Sequence, residues 1–90
     1  MINLKVIINK HYEVNLCDSK LIGSVINGTT VSSLFYGEKC SRENAISEIK
    51  KATMINALGE ESVKLVKEVK GELKTIMLNG IPHLLLFTVT

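Results

Sequence analysis

Cysteine is scarce in this sequence: Cys17 and Cys40 lie far apart and in no paired-ligand spacing. A secreted domain of this size normally carries more bridges. The two therefore read as buried thiols in a cytoplasmic, reducing setting, free cysteine being among the most buried residue types. Long apolar runs are missing as well. The longest, Leu84 to Phe87 with Val89 close behind, falls far short of the roughly 20 residues a membrane helix needs. It fits a buried strand, and no membrane partner is expected. The opening residues Met1-Ile2-Asn3-Leu4-Lys5-Val6 have no basic segment leading into an apolar one, so no signal peptide is expected. Charge of one sign is lacking too. Eleven Lys and Arg against nine Asp and Glu leave a net charge of +2, which permits an anionic partner without demanding one, since domains dedicated to nucleic acid usually carry a far stronger basic excess. Aromatics are few, and Tyr12, Phe35, Tyr36 and Phe87 must also supply the core.

What is present is apolar surface, 46% of the 90 residues. That is ample for one core, and a single domain over residues 1–90 is expected. Three stretches organise it. In the first, Ile2, Leu4 and Val6 alternate with Asn3 and Lys5, the period of a half-buried strand. After a tight connection at Lys10-His11, the alternation resumes over Tyr12 to Cys17. Asp18-Ser19 reads as the cap of a single helical turn ended by Gly23. Asn27-Gly28 is a strong two-residue hairpin signal, which makes Ser24–Ile26 one strand and Thr29–Phe35 its return.

The second stretch reads as helical. Ser41 is a good N-cap and Glu43 suits the first turn. Ala45, Ile46, Ile49, Ala52 and Ala57 fall on one face of a helix continued to Leu58. Near its end Met54, Ile55 and Leu58 emerge on the formerly polar side, as though a second helix folded back over that turn. Gly59 supplies the break. The second helix is predicted over Glu60–Lys70, with Leu65, Val66, Val69 and Ser62 inward and Gly71 as its stop. In the third stretch, Leu73–Leu78, Asn79-Gly80 and Ile81–Val89 read as a terminal hairpin, with Pro82 at a turn margin and Leu84–Phe87 covered on both faces. The expected fold is α+β: a mostly antiparallel sheet with an α-helical hairpin packed on one face.

The sequence holds no phosphate-binding glycine loop, no paired C-x-x-C and no H-E-x-x-H. His11, His83, Cys17 and Cys40 are isolated, whereas structural zinc draws closely spaced ligands. No metal and no cofactor are expected. A nucleophile at Cys17 or Cys40 activated by His83 lacks any feature that would favour thiolate, so no catalytic residue is assigned and no enzyme activity is expected. Asn56, with Thr53 beside it, falls on the apolar face of the first helix. A buried amide needs partners, which either a neighbouring loop backbone or a ligand pocket would provide. Lys64, Lys67 and Lys70 line one flank of the second helix and, with Lys74 past Gly71, could track phosphates. The plain alternative is a solvated flank in which Glu60 and Lys64 form an i,i+4 pair.

Four segments, Cys17–Gly23, Phe35-Tyr36-Gly37, Ala52–Glu60 and Asn79–His83, occur in one order and spacing. Together they resemble a family of small archaeal proteins catalogued as domain of unknown function 424, over nearly the whole chain. The resemblance implies a cytoplasmic single-domain protein and transfers no catalytic residues. One departure is the turn before Pro82-His83, Asn79-Gly80 here in place of two glycines. The expectation that follows is a translation-associated accessory protein binding the ribosome or its RNA through Lys64, Lys67, Lys70 and Lys74. Its rival is a small-ligand or protein-interaction module with a pocket near Tyr36, Asn56 and His83.

Overall fold

The computed structural model describes residues 1–88, so Val89, expected to end the last strand, lies outside the described residues. Strands β1 (Ile2–Ile8) and β2 (Tyr12–Asp18) form the expected antiparallel hairpin, with Leu4 opposite Leu16 and Val6 opposite Val14. A short 3-10 turn (Ser19–Leu21) leads into a small hairpin of β3 (Val25–Ile26) and β4 (Thr29–Thr30). Its Asn27-Gly28 turn has φ of +50° and +78°, the left-handed pair that a two-residue hairpin requires.

The return strand is shorter than the sequence suggests. From Ser33 to Tyr36 the chain makes one helical turn, α1, because the Ser32 hydroxyl accepts the Leu34 N–H at 3.0 Å. Gly37 ends the turn at φ +72°, where a side chain would run into the Leu4 carbonyl. Strand β5 (Glu38–Cys40) then pairs with β1, and helix α2 (Arg42–Lys51) starts at the predicted Ser41 cap.

The helix stops at Lys51, and Met54–Leu58 is strand β6. A short apolar run of this kind is ambiguous between helix and strand. Here pairing decides, since β6 sits between β2, to which it is parallel, and the antiparallel strand β8 (Ile81–Phe87). The apolar residues that leave the helical stripe after Ala52 alternate across the sheet instead. Helix α3 (Glu60–Lys70) has the predicted bounds, and β7 (Ile76–Leu78) closes the sheet in the order β5-β1-β2-β6-β8-β7.

The class is as expected: α+β, a mostly antiparallel sheet with the two longer helices on one face. Those helices are joined by a strand rather than a turn. The chain crosses from β5 through α2 to β6, then from β6 through α3 to β7. Successive crossovers that move the same way across a sheet with the same hand put their helices on one face. The helices consequently point the same way rather than opposing one another. Lys70, at the end of α3, reaches the carbonyl of Lys50 at the end of α2, and Arg42, at the start of α2, pairs with Glu68 of α3 at 2.6 Å. The core between helices and sheet holds Val14, Leu16, Ile49, Ala57, Val66 and Leu84.

On the opposite face, residues 19–37 cover only one end of the sheet, over Cys17 and Leu58. Strand β2 is thereby buried on both sides, beyond the half-burial its alternation suggests. Strand β8 is not. Leu84 is fully buried, but Leu85 and Phe87 are 64% and 55% exposed, because the covering segment ends before it reaches them. No helix among the described residues is long and apolar enough to cross a membrane.

Candidate functional site

The segment that covers the back of the sheet does not close down on it. Between them lies a cavity of about 460 Å³, walled by β3, β4 and α1 on one side and by β6, β7 and β8 on the other. Ile26, Val31, Leu58 and Leu78 make it mostly apolar, and no Asp, Glu, Lys or Arg lines it.

Its polar end is built by strand alternation. With Ile55 and Ala57 turned to the helices, Asn56 faces the cavity, and so does His83 in β8, because Leu84 faces the core. The helical turn α1 delivers Tyr36 from above. Asn56 Oδ1 accepts from both, from His83 Nε2–H at 2.9 Å and from the Tyr36 hydroxyl at 3.4 Å. An amide oxygen only accepts, so the His83 proton sits on Nε2 and leaves a lone pair on Nδ1. Burial lowers the pKa of His83, and a second proton would have to go on Nδ1, which has no partner. Both effects favour the neutral ring. Burial, with the neighbouring Cys17 adding to it, pushes the Tyr36 hydroxyl up to about 12, so it stays a donor.

The three residues named from sequence as a pocket, Tyr36, Asn56 and His83, are thus brought together and bonded. Asn56 reaches the site from a strand rather than from a helix face. Thr53 takes no part, since its hydroxyl accepts the Tyr12 N–H at 3.0 Å. Two further residues at the site were not assigned to the pocket from sequence. Asn15, fully buried in β2, pairs in register with Asn56 and donates to the Phe35 carbonyl at 3.4 Å. In the sequence it occupies the polar position of an alternating strand and reads as solvent-facing. Phe35 stands at the cavity wall with its ring edge-on to Tyr36, centroids 4.8 Å apart. The sequence named it only as a core aromatic and within the Phe35-Tyr36-Gly37 segment.

The lysine flank is placed differently. Lys64 and Lys74 are exposed and Lys67 is half-buried, with Glu60, Glu68 and Glu72 beside Lys64 and Lys67. The Lys70 ammonium turns back to the carbonyls of Lys50 and Ala52, 3.4 Å from each. Both thiols are free. Burial, with Asp18 adding to it, pushes Cys17 up to about 12, and burial also raises Cys40. His11 lies apart from them, edge-on to Phe87. No group of three or more His, Cys, Asp or Glu among the described residues is arranged to hold a metal ion.

A family described as "Protein of unknown function (DUF424)" matches residues 8–89, and the chain belongs to that family. Among solved structures, the crystal structure of an uncharacterised conserved protein from Methanopyrus kandleri is similar, with a TM-score of 0.79. The match covers 94% of this chain and 89% of that one at 24% identity, a likeness of fold. No curated protein matches the chain.

Proposed function

We propose that this protein binds a small, uncharged ligand in the cavity at Tyr36, Asn56 and His83. The observation that carries the reading is the convergence of two side-chain donors on Asn56 Oδ1 at the end of an otherwise apolar cavity. Ligand sites are typically concave and mostly apolar, with a few polar groups that fix orientation. The absence of charged residues in the lining favours a neutral ligand, because burying an ion without a counter-charge is costly. The role is binding without turnover: His83 is committed to Asn56, and both thiols are held protonated. Two unbridged cysteines make a reducing cytoplasm the natural setting for it.

The reading is tested by thermal unfolding in the presence of neutral fragments, since a ligand bound only to the native state raises the midpoint with concentration. The expected result is a rise in the parent that is reduced in Tyr36→Phe. A midpoint unmoved by any fragment at millimolar concentration would sink it.

An RNA partner on the ribosome, held by Lys64, Lys67, Lys70 and Lys74, is the second reading. Exposure of Lys64 and Lys74 favours it. The interleaved glutamates and the inward turn of Lys70 weigh against it, which is why the cavity comes first.

A further inference from the structure

The back of the sheet has a step. Residues 19–37 raise one end of it, and the other end is bare. On the bare end Glu13, Met54 and Phe87 form one cross-strand row, with Leu85 in the next. All four border a cleft of about 360 Å³, and Leu85 and Phe87 are more than half exposed. The raised segment has apolar side chains in solvent as well, Val25 at 66% and Leu34 at 83% exposure. Apolar surface gathered on both levels of one step marks an interaction face rather than scattered exposure.

Shape and charge indicate the partner. A face that is half raised and half bare is complementary to itself. About a two-fold axis lying across the strands at the step, each raised segment fills the bare end of the other copy, as an isologous contact requires. Such an axis sets the bare end of each strand against whatever covers that same strand in the mate. The turn α1 lies over β1 and β2, held by Asn15 on the Phe35 carbonyl and by the Lys5 ammonium on the Leu34 carbonyl at 2.7 Å. The β3–β4 hairpin lies over β6, β7 and β8. In that arrangement Val25 of one copy meets Leu85 and Phe87 of the other, and Glu13 at the bare end of β2 meets α1 beside Lys5. Glu13 is the only charged residue bordering the cleft, and it forms no ion pair among the described residues. The raised segment contains Lys20 and no acid, while Lys5 is exposed and bonded only to a neutral carbonyl. Opposite charges set across an interface in this way fix its register. We infer that two copies of this chain associate through the stepped face, Glu13 of each pairing with Lys5 of the other. The contact stands independently of the ligand-binding reading.

Sedimentation equilibrium of the full chain, from micromolar to millimolar concentration, tests it. The weight-average mass should rise from 9.9 kDa toward twice that value. Leu85→Asp changes a side chain that is exposed in the single chain, so the fold should survive. It should weaken association about tenfold or more, because the contact would then bury a carboxylate against apolar surface. Glu13→Lys and Lys5→Glu should each weaken association when alone. An equimolar mixture of those two variants should regain it, since the mixed pair holds two opposite-charge contacts, and regain requires both variants to be folded. A parent that stays at the mass of one chain at millimolar concentration would overturn the inference and leave the face to a different partner. A dimer indifferent to Leu85→Asp, or a mixture that associates no better than either variant alone, would overturn it as well.

Discussion

The carboxylate of Asp18 caps a helix through Ser62, 44 residues further along the chain. Its Oδ1 accepts the Ser62 N–H at 2.8 Å and the Ser62 hydroxyl at 2.9 Å, and its Oδ2 accepts the Glu61 N–H at 3.1 Å. The sequence placed Asp18 as the cap of its own short turn, where it makes no side-chain cap bond. Both residues are buried. The bond therefore ties the end of β2 to the start of α3, with the negative charge at the positive end of the helix.

Replacing Asp18 with Ala should cost about 2–3 kcal/mol, above an ordinary cap, because buried donors lose a charged acceptor. Gly59→Ala should also destabilise, by more than about 1 kcal/mol. Its φ is +106°, and the added methyl would land on the Asp18 carboxylate. Urea midpoints measure both. An Asp18→Ala variant within about 0.5 kcal/mol of the parent, the range of ordinary surface changes, would mean that the cap does not hold the helix.

His83 makes stability depend on pH. Its pKa in the folded protein is lowered by burial, so between the folded and unfolded values the unfolded chain binds more protons. Stability is complete above the unfolded value and is lost as pH falls through the folded one. The denaturation midpoint should drop between about pH 7 and pH 5, and less steeply in His83→Gln. Equal slopes in the two proteins would mean that His83 is not buried neutral.

Ala52 is 3% exposed where α2 meets the sheet. Ala52→Leu should overpack that junction and cost about 1–3 kcal/mol. An unchanged denaturation midpoint would contradict the packing around the end of α2.

In the folded protein Cys17 should resist a thiol reagent at neutral pH, being fully buried with its pKa pushed up to about 12. After unfolding without reductant, two thiols per chain should react, matching the two cysteines of the sequence. Prompt labelling of Cys17 in the native state would show that the covering segment opens.

If Lys64, Lys67, Lys70 and Lys74 contact RNA phosphates, each Lys→Gln change should reduce the log–log salt slope by about 0.7–0.9, because each contact releases counterions. With Lys70 turned onto α2, its replacement should change the slope least. Four equal decrements would instead place all four ammonium groups on the RNA.

Local signals in the sequence determined much of this protein. The period of β1, the two Asn-Gly turns, the Ser41 cap and the bounds of α3 depend on residues within a few positions of one another, and each is where the sequence puts it. Tyr36, Asn56 and His83 were also named together as a pocket, with Asn56 recognisable as a buried amide that needed partners. Only the tertiary structure decided what depends on distant pairing. Met54–Leu58 is a strand because β2 and β8 flank it, and that also reverses the expected relation of the two helices. Asn15 is buried because a segment twenty residues away lies over it, while Leu85 and Phe87 are exposed because that segment stops short. A local pattern specifies which residues can be buried. Which faces are covered, and which donors meet which acceptors, depends on contacts between residues far apart in the chain, and no short-range periodicity encodes those.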